Sequence, residues 1–334
     1  MKYKVGIPRG MLFYNYYPLW NEFFKELGVE VVLSCKTNKE ILDNGSLNCV
    51  DEACLPVKVF HGHVEYLKDK VDYIFIPKIM SIDHMEYCCP KYLGLPEMVL
   101  HSVDQLPEVI APIVNLRKSE SKLKKSFHSA GSYFTDSRLE VRSAYLKTMD
   151  FYKGYKRLIT KGIIPIDALK MYNNAFKNLS PSIDKQGEST IMVLGHSYSV
   201  YDDFISMNVI KKLTDYGKDV ITAEMIEDEI IAHYAKKLPK RMFWTHGKRI
   251  VGSAFYALEN KNVDGIIYIS AFGCGLDSVL VDLIERKANK TSTPFVLLTI
   301  DEQTGEAGIN TRLEAFLDMM EWRKKDEDNF STIR

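Results

Sequence analysis

Three of the six cysteines in this chain of 334 residues lie in short loops next to predicted strands and helices. Cys54 stands in Asp-Glu-Ala-Cys-Leu-Pro, Cys89 in Tyr-Cys-Cys-Pro-Lys and Cys274 in Phe-Gly-Cys-Gly. In an open α/β sheet the turns that follow the strands lie along one edge, so residues distant in sequence meet there. Thiolates gathered at such an edge are typical of a metal or iron–sulfur site.

The residues beside these three cysteines suit a large inorganic group. Proline follows Cys54 after one residue and follows Cys89 directly; it starts helices well and turns the chain away from a cluster. Two glycines flank Cys274 and let the backbone approach closely. The alternative is three unrelated thiols, since free cysteine often packs as a small apolar residue. The shared placement at turns favours one joint site.

The identity of the metal and the fourth ligand stay open at this stage. Cys49 and Cys88 are candidates for a fourth ligand, whereas we expect Cys35 to be structural. Zinc is the alternative to iron and sulfide, but structural zinc usually takes ligand pairs at short spacing. The chain contains no Cys-x-x-Cys pair. Ligands spread over two domains favour a cluster in the cleft between them.

Other polar residues follow predicted strands or lie in predicted loops. His196 comes directly after a strand, His246 stands in a predicted loop Trp-Thr-His-Gly-Lys, and Glu302 follows the last strand. These three are the candidate catalytic residues. His61 and His63 lie two residues apart in one predicted helix and therefore face different sides, so we expect them on the helix surface.

Composition and charge exclude several classes of protein. Forty-four basic and 44 acidic residues cancel, so we expect no nucleic-acid partner. No apolar run reaches the length of a membrane span, and the N-terminus resembles a strand and not a signal peptide. We therefore expect no membrane partner and a cytoplasmic location, where thiols stay reduced and bind metals more often than they form disulfides. The chain also lacks a phosphate-binding G-x-x-x-x-G-K-[ST] loop, so we expect it not to hydrolyse ATP.

The order of predicted elements indicates an α/β fold. Strands and helices alternate over residues 1–117 and again over residues 187–334, which is typical of parallel sheets. The segment 118–186 is polar, helical in pattern and ends in a predicted linker at Asn178–Gln186. We therefore predict two Rossmann-like parallel-sheet lobes with an intervening helical segment.

A family resemblance extends over nearly the whole chain. Its motifs are Val5-Gly-Ile-Pro-Arg9, Asp51-Glu-Ala-Cys-Leu-Pro-Val-Lys58 with His61-Gly-His63, Cys89-Pro-Lys-Tyr-Leu-Gly94, Phe272-Gly-Cys-Gly275, and Asp301-Glu-Gln-Thr-Gly-Glu-Ala-Gly308 with Thr311-Arg-Leu-Glu-Ala-Phe316. With these motifs the chain resembles the activase-associated relatives of 2-hydroxyacyl-CoA dehydratases. Relatives of this group include iron–sulfur dehydratase subunits and double-cubane cluster reductases.

The resemblance implies an iron–sulfur protein of an anaerobe. Cys54, Cys89 and Cys274 match the ligand positions of the family, for a [4Fe-4S] cluster or a double-cubane derivative. Low-potential electrons would come from a separate ATP-hydrolysing activase with its own cluster. We expect a homodimer, because two-fold symmetry is the commonest assembly and would match a two-fold activase.

Three functions remain open on the sequence. The first is an oxidoreductase component that passes electrons from the activase to a small substrate. The second is a dehydratase subunit for a 2-hydroxyacyl-CoA, in which an open cluster iron binds the substrate and Glu302 assists as an acid. The third is a non-catalytic iron–sulfur electron carrier.

Overall fold

The structure is a computed structural model that describes residues 2–165, 167, 168, 171, 187 and 189–331, with side chains described as far as residue 324. The chain forms two compact units. Unit 1 comprises Met1–Ile183 and Lys240–Lys248, and unit 2 comprises Asp184–Pro239 and Arg249–Arg334. The linker predicted at residues 178–186 lies outside the described residues. The domain boundaries after residues 117 and 186 stay predictions.

Unit 1 contains a four-stranded parallel sheet and a two-stranded parallel sheet. Its strands are β1 (Lys4–Ile7), β2 (Glu30–Leu33), β3 (Tyr73–Phe75), β4 (Lys78–Ser81), β5 (Glu108–Ile110) and β6 (Ile113–Asn115). The larger sheet has the order β2-β1-β3-β5, and β4 pairs with β6. Short strands with valine and isoleucine suit a buried parallel sheet that helices cover.

Six helices of unit 1 follow these strands in the described part of the chain. They are α1 (Phe13–Glu26), α2 (Lys39–Leu47), α3 (Leu55–Leu67), α4 (Pro90–Ser102), α5 (Lys122–Gly131) and α6 (Arg138–Thr160). Side-chain caps start two of them, because Asn38 accepts from the Ile41 N–H before α2 and Ser137 accepts from the Glu140 N–H before α6. The core of the unit is aromatic, and the Trp20 ring stacks on Phe127 with the centroids 4.4 Å apart.

Unit 2 contains one parallel sheet with the order β10-β9-β7-β8. Its strands are β7 (Thr190–Gly195), β8 (Asp219–Thr222), β9 (Gly265–Ala271) and β10 (Phe295–Ile300). The helices are α7 (Ser197–Tyr201), α8 (Val209–Asp215), α9 (Asp228–Ala235), α10 (Thr245–Glu259), which begins within unit 1, α11 (Gly275–Lys290) and α12 (Glu306–Ser331). All seven residues of the central strand β9 are buried, as expected for a strand covered on both faces.

The prediction of an α/β fold with two Rossmann-like parallel-sheet lobes and intervening helices is confirmed. Every strand pair described between the named strands is parallel. Helices α5 and α6 follow the last strand of unit 1. Among the described helices, none has the length and apolar character needed to cross a membrane.

Helices α2 and α3 cross at two glycines, which makes their contact sensitive to a single methyl group. A Cβ atom on Gly45 would lie 1.9 Å from the Lys58 carbonyl oxygen, and one on Gly62 would lie 1.8 Å from the Ile41 carbonyl oxygen. Real Cβ atoms do not approach backbone so closely. The two helices can therefore keep this spacing only with glycine at the crossing.

We predict that Gly45→Ala and Gly62→Ala each lower the free energy of unfolding by about 1–3 kcal/mol, the usual cost of overpacking. Gly154→Ala is the matched control, because Gly154 lies in α6 with open space around its added methyl group. That substitution should stabilise the helix by up to about 1 kcal/mol. Urea unfolding of the three variants measures the effect. Equal stability of all three would contradict the crossing described.

Candidate functional site

Each of the three predicted ligand cysteines immediately precedes a helix. Cys54 is the N-cap residue of α3, Cys89 that of α4 and Cys274 that of α11. None of the three forms a disulfide, and all three are half-buried. The unpaired N–H groups and the dipole at a helix N-terminus favour a thiolate over a thiol. The three positions therefore share one local geometry suited to metal binding.

The two candidates for a fourth ligand differ in environment. Cys88 is buried, and burial, with a smaller contribution from Cys89, raises the pKa of its thiol to about 12. Cys49 is half-buried; burial raises its pKa, while the cations of Lys58 and Lys91 act in the opposite direction. Lys91 lies in the first turn of α4, directly after the cap formed by Cys89 and Pro90. Cys49 therefore lies within electrostatic reach of the helix that Cys89 caps.

Cys35 has a local contact of its own. Its sulfur lies 3.9 Å from the Asn38 side-chain nitrogen, which donates to it. Asn38 also caps α2 through its contact with the Ile41 N–H at 3.0 Å. The Cys35 thiol thus belongs to the turn that starts α2.

A buried histidine lies beside Cys274 in unit 2. His196 follows β7 as the N-cap residue of α7. Its Nε2 atom is 3.3 Å from Asp277 Oδ1 and 4.0 Å from Cys274 Sγ. The imidazole ring stacks on Tyr198 with the centroids 5.1 Å apart. His196, which the sequence predicts as a site residue, therefore lies beside the Cys274 thiol.

Asp277 is the residue that organises this group of side chains. It lies in the first turn of α11 and is 1% exposed. Tyr268 donates from its hydroxyl to Oδ1 at 2.7 Å, and Ser270 donates to Oδ2 at 3.0 Å. Both carboxylate oxygens therefore accept hydrogen bonds from the strand β9 that leads to Cys274.

Burial and charge act against each other in this pair. Burial alone would lower the pKa of His196, but the carboxylate of Asp277 outweighs it and raises that pKa to about 10. Burial likewise would raise the pKa of Asp277, and the charge of His196 and the hydrogen bonds to the carboxylate lower it instead. Burial also raises the pKa of Tyr268 well above its ordinary value, so this hydroxyl stays a donor. The pair is an imidazolium hydrogen-bonded to a carboxylate.

The His196, Cys274 and Asp277 side chains present one nitrogen, one sulfur and one oxygen within 4.8 Å of one another. Such a set has the composition of a ligand group for a single metal ion. However, both oxygens of Asp277 already accept hydrogen bonds from Tyr268 and Ser270. The carboxylate is therefore better suited to hold His196 than to bind a metal itself.

Asp277, Tyr268 and Ser270 were missed on the sequence because they form no recognised motif. One signal was present. Tyr268 and Ser270 alternate along β9 and so point to the same face of the sheet. Asp277 stands three residues after Cys274, in the first helical turn, where a carboxylate is favoured.

The prediction that His246 lies in a loop is wrong. His246 is the second residue of helix α10 and belongs to unit 1. Its ring lies 5.9 Å from the ring of Tyr92, three residues after the Cys89 cap of α4. The helix begins early because Thr245 N–H donates to the Tyr87 carbonyl, which fixes the preceding chain.

An ion-paired lysine fixes the loop that carries Cys88 and Cys89. Lys248 lies 2.6 Å from Glu86 Oε1 and 2.9 Å from Asp83 Oδ2. Partial burial alone would lower the pKa of Lys248, but hydrogen bonds to the two carboxylates raise it. The backbone also pairs here, since Tyr87 N–H donates to the Phe243 carbonyl at 2.8 Å. The position of Cys89 therefore depends on the chain segment 240–248.

Glu302 is exposed in the turn after β10. Its neighbour Asp301 accepts from the Thr304 hydroxyl at 2.6 Å, and this hydrogen bond lowers the pKa of Asp301. Asp301 thus stabilises the turn before α12. The role of Glu302 in catalysis stays a prediction.

The prediction that His61 and His63 lie on a helix surface is wrong. Both are buried, because α3 is covered on nearly all sides and packs against α2 at the glycine crossing. His61 donates from Nδ1 to the Val57 carbonyl at 2.8 Å, and the Nε2 atom of His63 lies 3.0 Å from the Thr37 hydroxyl. Burial lowers the pKa of both, that of His63 to about 3.

We predict that His63 destabilises the protein in acid. The unfolded chain binds a proton at this residue below about pH 6.5, whereas the folded chain does so only near pH 3. Stability is therefore lost as pH falls from 6.5 to 3, at up to about 1.4 kcal/mol per pH unit. His63→Gln should lose less stability between pH 6.5 and 4.5 in urea titrations. The exposed His84→Gln is the control. A wild-type slope in His63→Gln would refute the prediction.

Comparisons with protein families place the chain in a known group. The chain belongs to the family described as CoA enzyme activase uncharacterised domain (DUF2229), which matches residues 4–226. Residues 189–320 also match the family of the 2-hydroxyglutaryl-CoA dehydratase, D-component. No curated protein matches the chain. The resemblance to activase-associated relatives of 2-hydroxyacyl-CoA dehydratases is thus confirmed.

The two matches cover all the residues described above. Cys54 and Cys89 lie in the first match, and Cys274 and Asp277 lie in the second. His196 lies in the overlap of the two. The chain is therefore a component related to 2-hydroxyacyl-CoA dehydratases that work with an activase.

Proposed function

We propose that this chain is an iron–sulfur oxidoreductase component. It accepts low-potential electrons from an ATP-dependent activase and passes them to a small substrate. The observation that carries the proposal is the common position of Cys54, Cys89 and Cys274 as the N-cap residues of three helices, none of them in a disulfide. The family matches to an activase-associated domain and a dehydratase component support it.

The donor set fits an iron–sulfur cluster. Such clusters are held by cysteine thiolates. Room beside Cys274 is available, because a Cβ atom on Gly273 or on Gly275 would meet no other atom within 4 Å. Cys54, Cys89 and Cys274 would hold the cluster, with Cys49 as our choice for a fourth ligand because Cys88 is buried. A bound cluster of this kind, [4Fe-4S] or a double-cubane derivative, supplies one-electron transfer.

The protein itself contributes charge and positioning. Burial raises the pKa of Cys49, and the nearby cations of Lys58 and Lys91 oppose that rise. Lys248 holds the Cys89 loop through two carboxylates. The cations of Lys58 and Lys91 would offset part of the negative charge of the thiolate ligands without binding a metal themselves.

The partner in this proposal is a separate activase. The chain contains no phosphate-binding loop of the P-loop type, so ATP hydrolysis belongs to another polypeptide. Phe272 is 68% exposed two residues before Cys274, and Val279 is exposed in α11. These apolar side chains would contact the activase next to the cluster. We also propose a homodimer and a cytoplasmic location, where cysteines stay reduced and bind metals more often than they form disulfides.

A second candidate function is a dehydratase subunit for a 2-hydroxyacyl-CoA. The match of residues 189–320 to the D-component favours it. So does His196, since a buried imidazolium beside Cys274 can give a proton to a leaving hydroxyl group. Glu302 is the other candidate acid. Binding of a CoA thioester by the purified protein would favour this function over the first.

We predict that Cys54→Ala, Cys89→Ala and Cys274→Ala each remove most of the iron, because each removes a thiolate ligand. Cys35→Ala is the control and should keep the wild-type content, since its thiol belongs to the α2 turn. Iron, acid-labile sulfide and visible absorption of anaerobically purified protein measure the outcome. Full iron and an unchanged spectrum in Cys274→Ala would contradict the ligand set, and stoichiometric zinc without sulfide would favour the zinc alternative.

We predict that reduction of the bound cluster requires activase, ATP and a low-potential donor together. Phe272→Asp should raise the activase concentration needed for half-maximal rate about tenfold or more, the value expected for losing one buried aromatic contact. The equally exposed Trp322→Asp is the control. Stopped-flow absorbance follows the reaction. Equally fast reduction without ATP would refute the activase and favour a plain electron carrier.

A further inference from the structure

We propose that His196 donates a three-centre hydrogen bond from its Nε2–H, shared between Asp277 Oδ1 and the sulfur of Cys274, and that Asp277 is the positioning residue that holds this donor. The inference rests on the proposed function, in which the Cys274 thiolate binds the cluster. It adds two residues that tune the site without binding metal. Hydrogen bonds to cluster sulfurs are among the features that set the reduction potential.

The contacts of Asp277 place the proton on Nε2 of His196. An ionised carboxylate only accepts hydrogen bonds. Tyr268 and Ser270 donate to it, and Nε2 of His196 is its third neighbour at 3.3 Å. Nε2 must therefore carry a hydrogen. This holds for the imidazolium and for the neutral Nε2–H tautomer alike, so the donor does not depend on the charge of the ring.

The sheet fixes the distance between this donor and the sulfur. Strands β7 and β9 are parallel neighbours, with Gly195 opposite Ile269. His196 is the first residue after β7, and Cys274 caps the helix that follows β9. The His196 ring is held from a second direction, since it also stacks on Tyr198. The 4.0 Å separation of Nε2 and Sγ is thus set by strand register rather than by a mobile loop.

The buried side chains that contact Asp277 form one connected set of hydrogen bonds. Tyr268, Ser270 and Asp277 are all buried, and buried polar groups are costly unless each is satisfied. Their hydrogen bonds lead to His196 and end at the half-buried Cys274. This set of hydrogen bonds therefore orients the Nε2–H group of His196 toward the Cys274 sulfur.

The expected consequence is a higher reduction potential. A donor hydrogen bond stabilises the extra negative charge of the reduced state, so removing it shifts the potential downward. His196→Leu should move the midpoint to a more negative value. His196→Gln keeps a side-chain N–H and should restore part of the shift. Asp277→Asn should move the midpoint in the same direction as His196→Leu, by less.

Potentiometric titration followed by electron paramagnetic resonance measures these midpoints on the full chain purified without oxygen. His233→Leu is the control, because His233 is exposed on α9 of the same unit. A midpoint in His196→Leu equal to that of wild type, at equal iron content, would overturn the inference. If that variant does not fold, an unchanged midpoint in Asp277→Asn overturns it instead. Absence of iron and sulfide from the wild type would refute the proposed function, a different result.

Discussion

Parallel strand pairing is the constraint on which the rest of this structure depends. A parallel strand must be followed by a crossover, so a helix that follows such a strand begins at the carboxyl edge of its sheet. Helices α4 and α11 follow β4 and β9 in this way, whereas α3 follows helix α2; cysteine is the N-cap residue in each case. The backbone there offers N–H groups and room for an anionic group, which is why the same residue type suits three separate turns.

A second constraint is the cost of burying charge. Removing Asp277 and His196 from water is unfavourable, and the pair is tolerated only because every partner lies at hydrogen-bonding distance. An apolar pair would fill the same space at less cost. The ionised pair lies next to Cys274 and fixes the side chains around that thiol. The Lys248 pair with Glu86 in unit 1 follows the same logic, since it fixes the Cys89 loop.

Much of the fold followed from local sequence signals. Proline after Cys54 and after Cys89 marked the starts of α3 and α4, which begin at Leu55 and Pro90. These features depend on residues adjacent in sequence.

Features that depend on distant contacts were not predictable in this way. The surface position expected for His61 and His63 assumed a helix with one buried face, whereas the glycine crossing with α2 buries α3 on nearly all sides. His246 was expected in a loop because the contact at the start of its helix, from the Thr245 N–H to the Tyr87 carbonyl, joins residues far apart in sequence. Asp277 was missed because its partners are distant in sequence from one another. Tyr268 lies in β9 and His196 follows β7, so no single motif contains them.

The most direct test of the account is anomalous scattering at the iron edge from crystals grown without oxygen. The account predicts one strong iron peak in contact with the sulfur atoms of Cys54, Cys89 and Cys274. It also predicts that the His196 Nε2 atom lies beside the Cys274 sulfur and outside the metal coordination. A peak at the zinc edge alone, or an iron peak without Cys274 among its ligands, would contradict it.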